Sequence, residues 1–479
     1  MEKIGRGIFG VVVCIITCIS GFARQQPVDS VLSLKECVEI GISNNALVNQ
    51  ADYQATIDNI ALRQSRDNRL PQVLVSSNHG LNQGRNIDPF TNAYLNQNIN
   101  FSNYNLSGGI TLFNGGFIKN TISQNQNIAQ ASRLDLQQQK ETITLNIILA
   151  YLQILTNKDL LQQSKIQYDL TRQQVERLNT LDKEGSIIPS QLYELKGQLA
   201  NDELSIVNSE NAIDAATLTL CQLMNIPYKQ ISIEPMTADD DILLYNVAPE
   251  AVYNEAVKKF PSVKAAELRA NAFRAGIKAA KGALAPTIGL SGELYTYYSS
   301  SASTALLLNT TKVPSGDFVT VNGSDVPVIT NQSNFVNQKI NYGDQFKNNY
   351  STSVSAYIRI PIINYRQARN NISVAKARYD NALFLKQNAA NALSQSVEQA
   401  FFNMTAGYKK FNTLKTQVTA FAEAFKIAEV RYNAGVSNQV EYLIAKNNLD
   451  RSRINLIIAK YDYILRTKIF DYYQGTLTL

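Results

Sequence analysis

The chain contains no tryptophan, a single histidine and, past its first 23 residues, only two cysteines. Without Trp, an aromatic band at a membrane surface has to be built from Tyr and Phe, and Tyr295, Tyr297, Tyr298 and Tyr357 are the candidates. The lone His79 has no second histidine and no nearby cysteine with which to share a metal, so no metal site is expected. Cys37 and Cys221 are too few for a disulfide scaffold. They sit near helix ends that face the same way, which leaves a bridge open, but two small buried side chains is the simpler reading. No phosphate loop, nucleophile elbow or triad pattern occurs. No catalytic residue and no cofactor are therefore expected, and the chain does not read as an enzyme. The 45 Lys and Arg and 39 Asp and Glu, net +6, are scattered, which gives no basic patch for nucleic acid. Beyond the N-terminus no window approaches the ~20 apolar residues of a membrane helix. A chain without one is either soluble or crosses a membrane as β-strands.

What is present begins with a leader. Lys3 and Arg6 precede an apolar run from Ile8 to Ile19 and the small-residue site Gly21-Phe22-Ala23, which reads as a removed signal peptide over residues 1–23. Cys18 follows Ile16-Thr17, a poor lipoprotein signal, so cleavage is favoured over lipidation.

The rest of the chain says the same thing twice. Arg69-Leu70-Pro71-Gln72-Val73 reappears as Leu284-Ala285-Pro286-Thr287-Ile288, an offset of 215 between the prolines. Leu112-Phe113-Asn114 reappears as Ile362-Ile363-Asn364, and Glu184-Gly185-Ser186 as Ala434-Gly435-Val436, both at an offset of 250. The organisation expected is a first repeat over 24–225, a linker over 226–249 and a second repeat with the C-terminal tail over 250–479. Two copies of a unit that cannot bury its own apolar face point to a symmetric assembly. In the linker, the acidic run Asp239-Asp240-Asp241 reads as solvated loop rather than as a cation site.

Each repeat opens with helical spacing, Leu34–Leu70 and then Glu250–Ala285, stopped by Pro71 and Pro286 because proline expels its predecessor from the helical region. The period then switches from 3.6 to 2. Strands are expected at Gln72–Gln83, Tyr104–Phe113, Ile288–Tyr298 and Ser351–Ile360, joined by long Asn/Gly/Ser-rich loops at about 82–103 and 299–349. Proline-free helices follow over Gly116–Leu181 and Ala368–Tyr432, each close to ~100 Å long at ~1.5 Å per residue. Each turns at a glycine and returns over Ser190–Met224 and Gln439–Phe470. The return helices carry a seven-residue repeat, Leu192, Leu199, Ile206, Ile213 and Leu220, matched by Tyr442, Leu449, Leu456, Tyr463 and Phe470, the signature of coiled-coil hairpins.

Four strands cannot close a membrane barrel, since the smallest single-chain barrels have about eight. Several copies must contribute, and three would give twelve. With the tandem repeat, the junction Leu112-Phe113-Asn114-Gly115-Gly116, the tip Arg431-Tyr432-Asn433-Ala434-Gly435-Val436 and the signal peptide, the chain resembles the TolC-like outer-membrane efflux proteins over about Leu34–Gly475. The resemblance implies a mixed α and β fold with a shared trimeric barrel and a periplasmic helical tunnel. It implies a homotrimer in outer-membrane lipid, a periplasmic adaptor protein and an inner-membrane pump as partners, and a passive exit duct for efflux or type I secretion. It also implies a gate at the helical tips, with Tyr432 at the constriction, Glu441 in a ring of carboxylates and Ser437 where some relatives have a tethering arginine. Gly185, Ser186, Ile187, Gly435 and Val436 are then the tip turns and adaptor contacts. Tyr365-Arg366 replaces the glycine pair at the second junction, an expected stiffening. The rival reading is a secreted, soluble coiled-coil scaffold.

Overall fold

Helical stretches end at Asp67 and Gly282, four residues before Pro71 and Pro286, and strands begin directly after those prolines, whose rings keep the preceding residue out of the helical region. The computed structural model describes residues 31–87, 92–96, 98–228, 231–235 and 247–477. The signal peptide and Asp239-Asp240-Asp241 lie outside the described residues. In chain order come α1 (Leu34–Asn44), α2 (Ala46–Asp67), β1 (Gln72–Asn82), β2 (Arg85–Ile87), β3 (Tyr94–Asn96), β4 (Ile99–Asn114), α3 (Phe117–Lys183) and α4 (Pro189–Met224). The second half adds α5 (Pro249–Lys259), α6 (Pro261–Gly282), β5 (Thr287–Ser299), β6 (Ser303–Val321), β7 (Ser324–Lys339), α7 (Tyr342–Asn348), β8 (Ser351–Arg359), α8 (Gln367–Asn433) and α9 (Gln439–Gln474). The repeat is kept in element lengths: α3 and α8 have 67 residues each, α4 and α9 have 36 each.

Two expectations need correction. The first helix of each repeat is broken in two. Asn45 is extended; its side-chain carbonyl accepts from Leu47 N at 2.9 Å and starts α2, while its amide donates to Leu223 O at 2.9 Å. In the second repeat Pro261 makes the break, with Phe260 extended before it, as the residue preceding a proline must be. The expected loops contain strands instead. β2 and β3 pair over three residues, and β6 and β7 form a long hairpin turning at Asn322-Gly323. Both turn residues have positive φ, 50° and 79°, the geometry for which Asn-Gly is favoured in two-residue hairpins.

By contact the chain divides into two compact units, each drawing on both repeats. One combines residues up to Gln50 with Gln138–Ala256 and Ser394–Leu479; the other combines Ala51–Gln137 with Val257–Leu393. In the first, Ile147, Ile148, Ile154, Leu220 and Met224 are fully buried. Tyr151 donates to Glu234 O at 2.7 Å beside the parallel bridge of Leu32 with Ile233, which pins the start of the linker. Cys37 and Cys221 are both buried and free, and burial pushes the Cys37 thiol up to about 12. In the second unit, the four-stranded antiparallel sheet runs β1-β4-β5-β8. Its helices are joined by Ser132 to Asp58, Arg133 to Asn59 and Arg269 to Asp135.

The two strand-to-helix junctions use the same backbone with different residues. Gly115 and Gly116 have φ of 63° and 77°; Tyr365 and Arg366 have 51° and 60°. At Gly115 a Cβ would lie 2.4 Å from Ala285 Cβ and 2.5 Å from Gly282 O, so glycine is needed for room as well as for conformation. Tyr365 is 99% exposed in the single chain and carries only the backbone cost, about 1–2 kcal/mol per left-handed residue. Gly115→Ala should therefore lower stability by more than that backbone cost, and Arg366→Gly should not lower it. Thermal unfolding tests both, and a Gly115→Ala protein melting at the wild-type temperature would contradict this account.

Candidate functional site

The sheet has two chemically different faces because strand side chains alternate. Register puts Val73, Val75, Leu106, Ile110, Leu290, Leu294, Val354, Ala356 and Ile358 on one face. No Asp, Glu, Lys or Arg of the four strands lies on that face. Gln72, Asn105, Ser107, Ser291, Glu293, Ser353, Ser355 and Arg359 occupy the other face, where Asn105 donates to Glu293 at 2.7 Å. A bulge between Thr111 and Phe113 takes Leu112 out of register and sets Phe113 opposite Ile288, on the apolar face. Of the four tyrosines expected to form an aromatic band, only Tyr298 is on the apolar face. Tyr295, Tyr297 and Tyr357 are on the polar one, so the register moves them out of that role. β1 and β8 are the outer strands of the sheet, each paired on one side only.

In the other unit, the hairpin tips are built by two left-handed glycines. Gly185 (φ 67°) and Gly435 (φ 72°) follow α3 and α8. Ser186 N donates to Leu181 O at 2.9 Å and Val436 N to Arg431 O at 2.9 Å, the bond pattern by which a glycine ends a helix and satisfies its last carbonyls. Ser186 and Val436 are exposed. Ile187 packs inward against Val175, Leu178, Leu192 and Leu195, and its neighbour Ile188 is the exposed apolar residue, at 66%.

Tyr432 lies half-buried and stacked on Tyr442 at 4.9 Å, and burial raises its hydroxyl pKa against the pull of Arg177. The Arg177 guanidinium sits 5.9 Å from the Tyr432 ring centre and donates to the Asn433 side chain and, at 3.1 Å, to Asn433 O. Arg177 is on α3 and Asn433 ends α8, so this contact joins the two hairpins, as does Gln439 donating to Gln191 O at 3.0 Å. Glu441 is exposed in the first turn of α9; Asn438 caps its N–H at 2.9 Å, and Arg431 lies 4.0 Å from its carboxylate. Ser437 Oγ is buried with no hydrogen-bond partner among the described residues.

Two turns into α9 the hairpins meet through a buried ionic cluster. Lys446, 2% exposed, lies 2.9 Å from Asp450 and 3.5 Å from Asp202 of α4. Gln198 donates to Asp202 at 2.8 Å, and Thr171 of α3 donates to it at 2.5 Å. Burial pushes the Asp450 carboxyl up, opposed by Lys446. The apolar seven-residue positions frame this cluster: Leu192, Leu220, Tyr442, Leu449, Tyr463 and Phe470 are buried. Sequence reading followed that apolar repeat and missed Arg177, Asp202, Lys446 and Asp450. The available signal was a Lys and an Asp four apart, flanking the apolar stripe. The cluster also occurs once only, because the position 250 after Asp202 is Ser452.

Residues 252–466 match the outer membrane efflux protein family. The outer membrane protein TolC of Salmonella enteritidis is 21% identical over 469 residues, covering 96% of this chain and 84% of that protein. Over that stretch the chain is similar to the outer membrane efflux proteins. The toxin and drug export protein A of Aggregatibacter actinomycetemcomitans is 26% identical over 107 residues, which span 22% of this chain and 23% of that relative. Among solved structures, CusC superposes with a TM-score of 0.74 at 14% identity, covering 92% of this chain and 91% of CusC. The likeness to CusC is one of fold.

The buried cluster gives a pH-dependent prediction. Lys446→Met leaves two carboxylates facing each other without their cation, and removing one partner of a buried pair costs about 3–5 kcal/mol. Without Lys446 nothing on that side opposes the burial that raises the Asp450 carboxyl, so its folded pKa lies above the unfolded one. The loss is therefore small below about pH 4 and grows as pH rises through the folded value. The melting-temperature gap between variant and wild type should widen from acidic to alkaline pH and shrink when Asp202→Leu and Asp450→Leu are added. A gap independent of pH would contradict the cluster's role.

Proposed function

We propose that three copies of this chain share one twelve-stranded outer-membrane barrel and form a passive exit duct from periplasm to exterior. The observation that carries this reading is the sheet: four strands, one face free of Asp, Glu, Lys and Arg, the other polar, and two outer strands with one side unpaired. Strands of 9–16 residues suit a bilayer crossing by tilted strands, and lipid requires every backbone group to be paired. Pairing β1 of one copy with β8 of the next leaves no edge. The polar face then lines the lumen, and the paired helices form a tunnel in the periplasm. The mature chain starts after the signal peptide 1–23, with the repeats meeting at the 226–249 linker. The secreted-scaffold alternative leaves the apolar sheet face without an environment. No step of this function requires chemistry on a substrate, so the duct is a conduit rather than an enzyme.

The duct opens and closes at its helical tips. Arg177, reaching Tyr432 and Asn433, ties the two hairpins and takes over the tethering that an arginine at Ser437 would supply. Tyr432 narrows the opening and Glu441 contributes one carboxylate per copy, a ring that favours cations. Gly185, Ser186, Gly435 and Val436, with Ile188 beside Ile187, form the exposed surface for a periplasmic adaptor, through which an inner-membrane pump delivers cargo. Planar bilayers test the gate. Arg177→Ala should raise single-channel conductance, and Glu441→Gln should weaken block by divalent cations. Wild-type block in Glu441→Gln would remove Glu441 from the pore, and wild-type conductance in Arg177→Ala would remove the tether.

A further inference from the structure

The short helix α7 sits on the end of the sheet remote from the helix junctions, and it is fixed there. β8 stops pairing at Ser351 opposite Tyr295, whereas β5 runs on to Ser299. The exposed edge of that overhang is met by side chains of α7 and the residue after it. Gln345, fully buried, accepts from Ser299 N at 2.9 Å and donates to Ser299 O at 3.0 Å. Asn349 donates to Tyr297 O at 2.9 Å, and the Thr296 hydroxyl donates to Phe346 O at 3.0 Å. α7 thus stands in for the missing end of β8, giving β5 the partners that an open edge lacks.

Held this way, α7 directs its aromatic rings over the apolar face. Tyr342 lies 4.5 Å from Tyr298, Phe346 lies 5.6 Å from Tyr104, and the Tyr104 and Tyr342 hydroxyls are hydrogen-bonded. Tyr104 and Tyr298 belong to the same face as Leu106, Leu294 and Val354. Beside them His79 bonds Ser77 at 2.9 Å and Ser102 at 2.7 Å, so the face changes there from purely apolar to mixed aromatic and polar. Tyr342 and Phe346 remain 42% and 46% exposed, and Asp344 and Lys347 lie on the same short helix. Rings with one apolar and one wet side, next to polar groups and continuous with an apolar wall, match the headgroup–acyl boundary of a bilayer.

We propose that α7 is a lipid-anchoring collar whose Tyr342 and Phe346, over Tyr104 and Tyr298, seat in the headgroup–acyl boundary of the outer leaflet. The inference rests on the barrel reading, and one experiment separates the two. Because the chain has no tryptophan, a single introduced Trp reports without background. Full-length Phe346→Trp and, mid-sheet on the apolar face, Val354→Trp are reconstituted in phosphatidylcholine vesicles brominated either near the headgroup or near the chain ends. The expected result is quenching of Phe346→Trp mainly by shallow bromines and of Val354→Trp mainly by deep ones. Water-like, unquenched emission from Phe346→Trp with Val354→Trp quenched overturns the collar and leaves the barrel standing. Unquenched Val354→Trp overturns the barrel, and the collar with it. Tyr342→Trp is the second reporter of the same ring cluster, and it decides the question if Phe346→Trp fails to assemble.

Discussion

Unpaired backbone on the two outer strands is the constraint on which the rest of the structure depends. β1 and β8 each present one row of N–H and C=O groups with no partner strand among the described residues, and a hydrocarbon environment offers none. Inside the sheet, the same requirement explains details that have no other use. Gln345 and Asn349 cap the overhanging end of β5 by imitating a strand. At the outer strands no strand among the described residues does this, and the proposed closure therefore takes other copies of the same molecule.

The helical half answers a different demand. In the proposed duct, hairpins of 67- and 36-residue helices have to stay in register while their tips remain able to part. A wholly apolar seam tolerates sliding by one repeat; a buried Lys446 between Asp202 and Asp450 does not, because a slip leaves charge buried without a partner. The tip is held by lighter means: one guanidinium on a ring and a carbonyl, one glutamine to a backbone oxygen, and an exposed pair at 4.0 Å. Exposed ion pairs of that kind contribute at most about 1 kcal/mol, which suits the opening proposed for the tips. A strong seam with weak tip contacts is a sensible division in the proposed gated duct.

Much of this was legible in the residues. The long helices could be read to within a few residues because they lack proline and end in glycine, and the four sheet strands because their two faces differ so sharply in polarity. The broken first helices were less visible, since Asn45 acts through a contact with Leu223 that lies 178 positions away. Pro261 could have been used and was passed over, as was Asn322-Gly323, which marked the β6–β7 hairpin inside what looked like loop. The tyrosine band failed on parity: Tyr295, Tyr297 and Tyr357 alternate onto the polar face. At the tip, Tyr432 and Glu441 could be located by motif, while Arg177 could not, because its partners belong to the other repeat.

The most direct test of the shared barrel is the mass of the assembled protein. The mature chain is extracted from the envelope in mild detergent, and its protein mass is measured by light scattering. Closure of β1 on β8 in a twelve-stranded barrel predicts an outer-membrane species of three protomers. A monomer or dimer, with four or eight strands, would contradict it.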